Sequence, residues 1–508
     1  MTPHAPSPAS VVNTSRNPRF TRDFLTTGRT AARRSELWWG LAAALWAVGY
    51  AVINATAALP ANPQLWWQLR QGELTLSTGH AVLSHSWSWT AGMLPWIPNS
   101  WGWGTLLAIA YRGAGFAGVV VFVLLAQLGV LALVWRVLGR FGLQAGPVRV
   151  GILVLFSLTL AGWADGQSEL ADYGAVFAFA LVCLHPRMSA LSEGRRRLAL
   201  GGAAFAIAAV WENLHLGGLV AIAVFAAVYA ICMPVARRAS TAAVVGLGAA
   251  LGVLATPAGA AGIVKSLGTA SSSRAEHYAA WGHLFADPGG YNYEPVVLAL
   301  VIGAAAIVLV LIRRDHVAAG ILLIAALSAC LVVRSDTDLV MLSVLAGGPA
   351  VARMPQPRLP RIGIGAFGAA AAWAIVAVCV AAASVVPGWR LTGVDPADLA
   401  SIPHGARVFS TVGASDAIDV LRPDLQVTID SRNDLYPVAQ FEFAKSLTGA
   451  GAGAAQAPDY FEDNGVTAVY LQGAPAHEER TRLAAVLADA GWRAVPGVRG
   501  LVLLAPQK

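Results

Sequence analysis

Apolar runs of about 18 to 25 residues recur from residue 37 to residue 387, and no other feature restricts so strongly what this chain can fold into. A helix of that length crosses a ~30 Å hydrocarbon core with its backbone N–H and C=O groups bonded internally, as lipid requires. With 56% hydrophobic and 12% charged residues among 508, the chain has too little polar surface for a water-soluble globule. The predicted spans lie near 37–59, 115–135, 148–164, 170–186, 198–213, 214–233, 239–256, 294–312, 316–333, 337–351 and 362–387, about eleven crossings of a polytopic α-helical membrane protein. The stretches 148–186 and 337–351 are short or rich in Gly and Ala, so tilted or re-entrant segments are an open alternative there.

Arginines crowd every second connection: Arg16 to Arg34, Arg136 to Arg149, Arg187 to Arg197, Arg237 and Arg238, Arg313 and Arg314, and Arg353 to Arg361. The positive-inside rule makes those connections cytoplasmic. Segments 60–104, 257–293 and everything after 388 then face the outer side of the cell membrane, with the N-terminus inside and the C-terminus outside. The net charge of +7 is scattered over short loops, which suits membrane lipid headgroups and gives no sign of nucleic acid. Residues 1–36 are rich in Arg, Ser and Thr and are expected to be a disordered cytoplasmic tail. The run that follows is too long for the apolar core of a signal peptide, which favours an uncleaved first helix. Cys183, Cys232, Cys330 and Cys379 all fall inside predicted helices without metal-ligand or redox spacing, and read as small core residues. The sequence shows neither a metal motif nor a cofactor motif.

The composition changes after residue 388. Charges return, and the segment 388–508 reads as an extracytoplasmic soluble α/β domain. Strands are predicted at 406–411, 425–430 and 466–471 with a final pair around 492–505. Helices are predicted after Gly413 and at 436–447, 457–464 and 476–490. The Gly/Ala run from Gly449 to Ala455 reads as a flexible loop, and no Gly-rich phosphate fingerprint joins the first strand to its helix.

The loop 60–104 carries the densest chemistry. It reads Asn62-Pro63-Gln64-Leu65-Trp66-Trp67-Gln68-Leu69-Arg70, then Gly72-Glu73, Ser86-Trp87-Ser88-Trp89-Thr90, Pro95-Trp96 and Trp101-Gly102-Trp103. Tryptophans at this density fit a membrane interface. The cation that follows Trp66 and Trp67 also fits a sugar ring stacked on indole beside a phosphate held by Arg70.

These motifs resemble those of bacterial polytopic membrane proteins related to GT-C type glycosyltransferases. In that family the first outer loop carries an Asp-x-Asp-x-Trp-Trp-His-Leu-Arg type motif, a Gly, an Asp-Pro-Phe-Ser-Tyr-Thr type stretch and a Pro-Trp. Here Trp66, Trp67, Leu69, Arg70, Gly79, Ser88, Thr90, Pro95 and Trp96 match. Trp211, Asn213, His215 and Gly217 are similar to a Trp-x-Asn-x-His-Gly helix end, Pro257 and Gly259 to an Asn-Pro-x-Gly turn, and Asp430-Ser431-Arg432-Asn433-Asp434-Leu435-Tyr436 to an outer-domain motif. The resemblance implies a GT-C-like membrane fold and a polyprenyl-phosphate sugar donor, with an envelope glycan or protein as acceptor. The chain departs from the family where acids are expected: Asn62 and Gln64 stand there, Gln68 replaces the histidine, and His85 fills a second acidic position.

Transfer of a sugar from a polyprenyl phosphate needs a base for the acceptor proton and a cation for the leaving phosphate. Glu73 is the one acid left in the first loop. Asp165, Glu169, Asp172 and Glu212 are the other candidates, since a carboxylate at membrane depth is costly unless it is paired or wet. A solvated turn at 165–172 and a polar helix end at Glu212 are the plain alternatives. Arg70, Arg274, His277 and Arg334 lie on the predicted outer side and suit either a substrate phosphate or a lipid headgroup, and His215 sits one helical turn from Trp211. Asp430, Arg432, Asp434 and Tyr436 follow a strand and suit ligand binding, an internal salt bridge, or docking of the outer domain onto the membrane loop. Two functions are expected: a glycosyltransferase with Glu73 or Glu212 as base and Arg70 with Arg334 as phosphate clamp, or a catalytically inactive relative that binds a lipid-linked sugar or a partner protein. A transporter fits less well, because no internal repeat is visible.

Overall fold

The computed structural model describes residues 18–58, 62–81, 87–91, 96–160, 166–234, 238–271, 294–355, 362–385, 394–432, 435–448, 452–471 and 477–506. Helices make up the first part in the order α1 (Pro18–Ile53), α2 (Pro63–Thr78), α3 (Trp101–Arg140), α4 (Pro147–Leu160), α5 (Leu170–Cys183), α6 (Pro186–Ala190), α7 (Glu193–Leu214), α8 (Gly218–Cys232), α9 (Ala239–Leu254), α10 (Ala260–Ser271), α11 (Glu294–Ile312), α12 (His316–Leu331), α13 (Asp336–Ala352) and α14 (Ile362–Val385). Each of the eleven predicted spans coincides with one of these helices. Among the described residues, Ser35–Thr56, Trp101–Arg140 and Glu294–Ile312 are long and apolar enough to cross a membrane, and Pro147–Leu160, Leu170–Cys183, Gly218–Cys232, Ala239–Leu254, His316–Leu331 and Gly365–Val380 are shorter apolar stretches. Helix α1 begins at Pro18, inside the stretch expected to be a disordered tail. Once the apolar run nucleates a helix, each added residue gains a hydrogen bond at little cost, and the Arg- and Ala-containing stretch upstream carries it on. Cys379 faces outward, unlike the buried Cys183 and Cys232, so it is not a core residue.

The pairings follow from small side chains and apolar faces. Helix α7 lies along α9, where Gly248 meets the backbone of Gly201 so closely that a Cβ would sit 2.2 Å from its carbonyl oxygen. Such small-residue seams let helices approach in lipid, where the hydrophobic effect no longer drives association. Helix α1 packs on α14, and α11 on α13.

Segment 60–104, expected as a loop, contains α2. Asn62 caps it by accepting from Gln64 N at 2.9 Å, Pro63 opens its first turn, and Gly79 closes it in the left-handed conformation at φ 73°. A cap and a proline at the start with a glycine at the end is a complete helix signal. Helix α2 crosses α3 where Gly72 faces Gly104, and a Cβ on Gly72 would lie 1.9 Å from Gly104 O.

The remaining elements are α15 (Pro396–Leu399), β1 (Arg407–Ser410), α16 (Val412–Leu421), β2 (Gln426–Val427), α17 (Val438–Thr448), α18 (Ala457–Asp463), β3 (Ala468–Leu471), α19 (His477–Asp489), β4 (Arg493–Ala494) and β5 (Leu501–Leu504). The sheet order is β2-β1-β3-β5-β4, with β2, β1 and β3 parallel and β5 and β4 antiparallel. Alternation places Val408, Ala468 and Tyr470 on the face packed against α16, Trp67, Trp87 and Trp96. Phe409, Val469 and Leu471 point to the other face, with Phe461, Leu483, Leu487 and Trp492. One core thus runs without a break from the sheet into the first loop. The described part of the expected flexible run, residues 452–455, lies in a 3-10 turn, Ala452–Gln456, because Gly453 packs directly on Ser446 O.

Candidate functional site

The ends of five helices meet, and their three junctions build a single polar centre. The start of α5 brings Glu169 and Asp172. The break between α7 and α8 brings Trp211, Glu212 and His215, and the break between α12 and α13 brings Arg334, Asp336 and Asp338. Asp172 Oδ1 accepts from Trp211 Nε1 at 2.5 Å and lies 2.6 Å from His215 Nδ1. Arg334 Nη2 forms an ion pair with Glu169 Oε1 and lies 3.3 Å from His215 Nε2. Glu169 is 2% exposed, and its second oxygen has no hydrogen-bond partner among the described residues. Asp336, also buried, follows Arg334 by two positions. Carboxylates at this depth persist when a cation or a donor meets them, and Arg334, His215 and Trp211 supply those partners.

Glu212 has a different task. Its carboxylate accepts from Gly217 N at 2.9 Å and Gly218 N at 3.0 Å, which caps the first turn of α8. The N-terminal N–H groups of a helix are unpaired donors at the positive end of its dipole, and a carboxylate answers both. Asn213 ties the same junction to α9 through Ala255 O at 2.8 Å and accepts from Trp101 Nε1 at 3.1 Å. Trp101 also borders a cleft of about 560 Å³ lined by Thr75, Gly79, His80, Ala81 and Pro257.

The first-loop candidates lie elsewhere. Glu73 forms a forked ion pair with Arg112 at 2.6 Å on an exposed face between α2 and α3. Trp66 is buried and stacked on Phe116 at 5.4 Å, and Trp67 is buried edge-on to Trp96 at 5.7 Å. Neither presents a face for a sugar ring. Arg70 donates to Pro423 O at 3.1 Å, which joins α2 to the segment after α16. Asn62, in place of the family's acid, serves as the helix cap of α2. Asp165, Arg274, His277 and Asp434 lie outside the described residues. Sequence reasoning missed Asp336 and Asp338, although two acids at two and four positions after an arginine between apolar runs are a readable signal,. Among the described residues, no group of three or more His, Cys, Asp or Glu is arranged to hold a metal ion.

The outer-domain motif forms a second polar cluster at the junction with the first loop. Arg432 is 1% exposed and pairs with Asp430 through Nε at 2.8 Å and Nη2 at 2.5 Å. Its guanidinium lies 3.7 Å from the ring centroid of Trp87 and 4.9 Å from that of Trp96. Tyr436 donates to Asp430 Oδ2 at 2.9 Å, and Trp87 Nε1 to Asp419 Oδ2 at 2.5 Å. Ser88 Oγ donates to Thr428 O at 2.7 Å, and Ser88 bridges Val427 in parallel at the β2 edge. Burial, and then the nearby Asp430 charge, push the carboxyls of Asp416 and Asp419 well above the usual range. The surrounding carboxylates, Asp430 foremost, hold the Arg432 guanidinium charged despite its burial. Of the three readings of this motif, its geometry is that of a salt bridge packed into a docking contact.

No protein-family model matches the chain, and no curated protein matches it in sequence. Eleven chains of solved structure match its fold. Among them is an oligosaccharyltransferase from Archaeoglobus fulgidus, solved tethered through a disulfide bond to an acceptor peptide containing an NVT sequon. That match has a TM-score of 0.50 at 12% identity and covers 92% of this chain and 74% of the archaeal one. By its fold, this chain is similar to that archaeal oligosaccharyltransferase, and among its described residues three helices are long and apolar enough to cross a membrane.

Proposed function

We propose that this protein takes a sugar from a polyprenyl-phosphate carrier and transfers it to an envelope glycan or protein acceptor at the outer face of the cell membrane. The chain then crosses about eleven times, with its N-terminus cytoplasmic and the sheet domain, residues 388–508, outside. The observation that carries this reading is the meeting of Arg334 and His215 with Glu169 and Asp172 where three helix breaks converge. A guanidinium suits the leaving phosphate, and a buried carboxylate or a carboxylate-backed imidazole suits the acceptor hydroxyl. The cleft is lined by Trp101, whose indole donates to Asn213, two residues from His215. It offers the acceptor an approach between an indole and the polar centre.

The test is turnover of a panel of polyprenyl-phosphate sugars by the purified protein, comparing the wild type with Glu169→Gln, Asp172→Asn and Arg334→Ala. Loss of transfer in one carboxylate variant that still binds the lipid supports the enzyme. A second reading, a sugar-lipid binding protein on the same scaffold, is favoured by one observation: Glu73, the surviving first-loop acid, is engaged by Arg112. Binding by every form with transfer by none selects that reading.

A further inference from the structure

We propose that His215 is the group that receives the acceptor's proton, and that Arg334 covers its ring nitrogen until a phosphate draws the guanidinium away. This rests on the polar centre being the transfer site. Guanidinium is a donor only and has no accessible neutral form in proteins. Its approach to His215 Nε2 at 3.3 Å therefore places a lone pair on that nitrogen. The single ring proton then sits on Nδ1, 2.6 Å from Asp172 Oδ1. Trp211 Nε1 fixes that same oxygen at 2.5 Å. The imidazole is thus held at Nδ1 by a carboxylate, with Nε2 turned toward Arg334.

The charged groups that face His215 come from each junction: Asp172 from α5, Glu212 from α7, and Arg334 and Asp338 from the α12–α13 break. Glu169 holds Arg334 in its covering position. The Arg334 side chain is 19% exposed against 2% for Glu169, which makes the arginine the member of that pair a ligand reaches. A sugar phosphate bridging two oxygens across the guanidinium fork competes directly with Glu169 and His215. Once Arg334 turns to the phosphate, Nε2 is open. The acceptor O–H then breaks with its proton passing to Nε2, and the oxygen forms the new bond to the anomeric carbon. The bond from that carbon to the phosphate oxygen breaks, and its electron pair leaves on the phosphate held by Arg334. Asp172 stabilises the imidazolium until it returns its proton to solvent. The carboxylates missing from the first loop are not needed for this proton transfer.

The test is carbethoxylation by diethylpyrocarbonate, which acylates an imidazole through an unprotonated ring nitrogen. It is followed by peptide mass spectrometry on the full chain in phosphatidylcholine bilayers, with the exposed His316 and His404 as internal references. His215 reacts slowly in the wild type and several-fold faster in Arg334→Gln. It reacts faster in the wild type when the bilayer carries a polyprenyl monophosphate. Arg334→Lys, which keeps the charge without the fork, falls between. His215→Gln retains binding of the lipid phosphate and loses about 100-fold or more in transfer. Equal His215 reactivity in wild type and Arg334→Gln overturns the covering role. Exposure in Arg334→Gln without exposure by bound polyprenyl phosphate overturns the exchange. If the wild type binds no polyprenyl phosphate while Arg334→Gln still exposes His215, the transfer reading falls and takes the exchange with it.

Discussion

Replacing Arg432 with Met should loosen the sheet domain from the first loop, and the loss should depend on pH in a way that packing alone does not produce. Methionine retains much of the arginine stem and removes the two charged hydrogen bonds to Asp430, leaving the Tyr436 hydroxyl and the backbone N–H of residue 432 as its donors. Breaking one side of a buried ion pair costs about 3–5 kcal/mol. The carboxylate has an escape, because it can take up a proton. From an ordinary Asp value of about 3.9 and 1.36 kcal/mol per pH unit, that escape limits the charge penalty to about 4 kcal/mol at pH 7 and about 1.5 kcal/mol at pH 5. Loss of the contacts with Trp87 and Trp96 adds about 1 kcal/mol at either pH. Trp87 and Trp96 report on the contact, so unfolding of variant and wild type is compared by tryptophan fluorescence at the two pH values. Equal penalties at both, or less than about 1 kcal/mol at pH 7, would refute the argument that a buried, paired charge holds the two parts together.

Burial and the Asp430 charge raise the Asp416 and Asp419 carboxyls in the folded state, so docking strength is fully present at pH below the ordinary carboxylate range and declines as pH rises toward their raised folded values,. Asp419→Asn should flatten that decline in thermal melts taken at stepwise higher pH. Glu212→Ala removes the cap of α8 and should cost about 1–2 kcal/mol in detergent unfolding, while Glu212→Gln recovers part of the loss. Glu73→Gln breaks an ion pair on a solvent-facing surface and should change stability by less than about 1 kcal/mol, with transfer unaffected if the polar centre is the site. Gly104→Leu places a Cβ 2.4 Å from Gln68 O. It should separate α2 from α3, detectable as new protease sensitivity in α2.

The helical runs were legible because lipid demands length and apolarity together, and every predicted run lies on a helix. The strands at Arg407–Ser410 and Ala468–Leu471 were legible because their centres, Val408-Phe409 and Ala468 to Leu471, are consecutive apolar residues, as strands covered on both faces must be,. Helix α2 was not read, since its tryptophans and glutamines suggested an interfacial loop, although Asn62, Pro63 and Gly79 mark its ends. Glu169 and Asp172 were singled out by their cost at membrane depth, Arg334 as a cation on the predicted outer side, and His215 by its place one helical turn from Trp211. Their meeting was invisible, because residues 169 and 334 are joined by helix packing that no local pattern encodes. Glu73 and Arg70 drew attention through their neighbours in sequence, and their partners, Arg112 and Pro423, come from separate elements.

The bridge from Ser88 to Val427 has a consequence for how the protein can be made. Strand β2 is one of the sheet's two edge strands, and an exposed strand edge invites pairing with other chains,. In the intact protein the first loop covers that edge with backbone and hydroxyl contacts from Ser88, Trp89 and Thr90. Residues 394–506 expressed by themselves lose that cover along with Trp67, Trp87 and Trp96, exposing both an open ladder and an apolar face. Such a fragment should self-associate, and its solubility should return when a peptide spanning residues 86–97 is supplied alongside it.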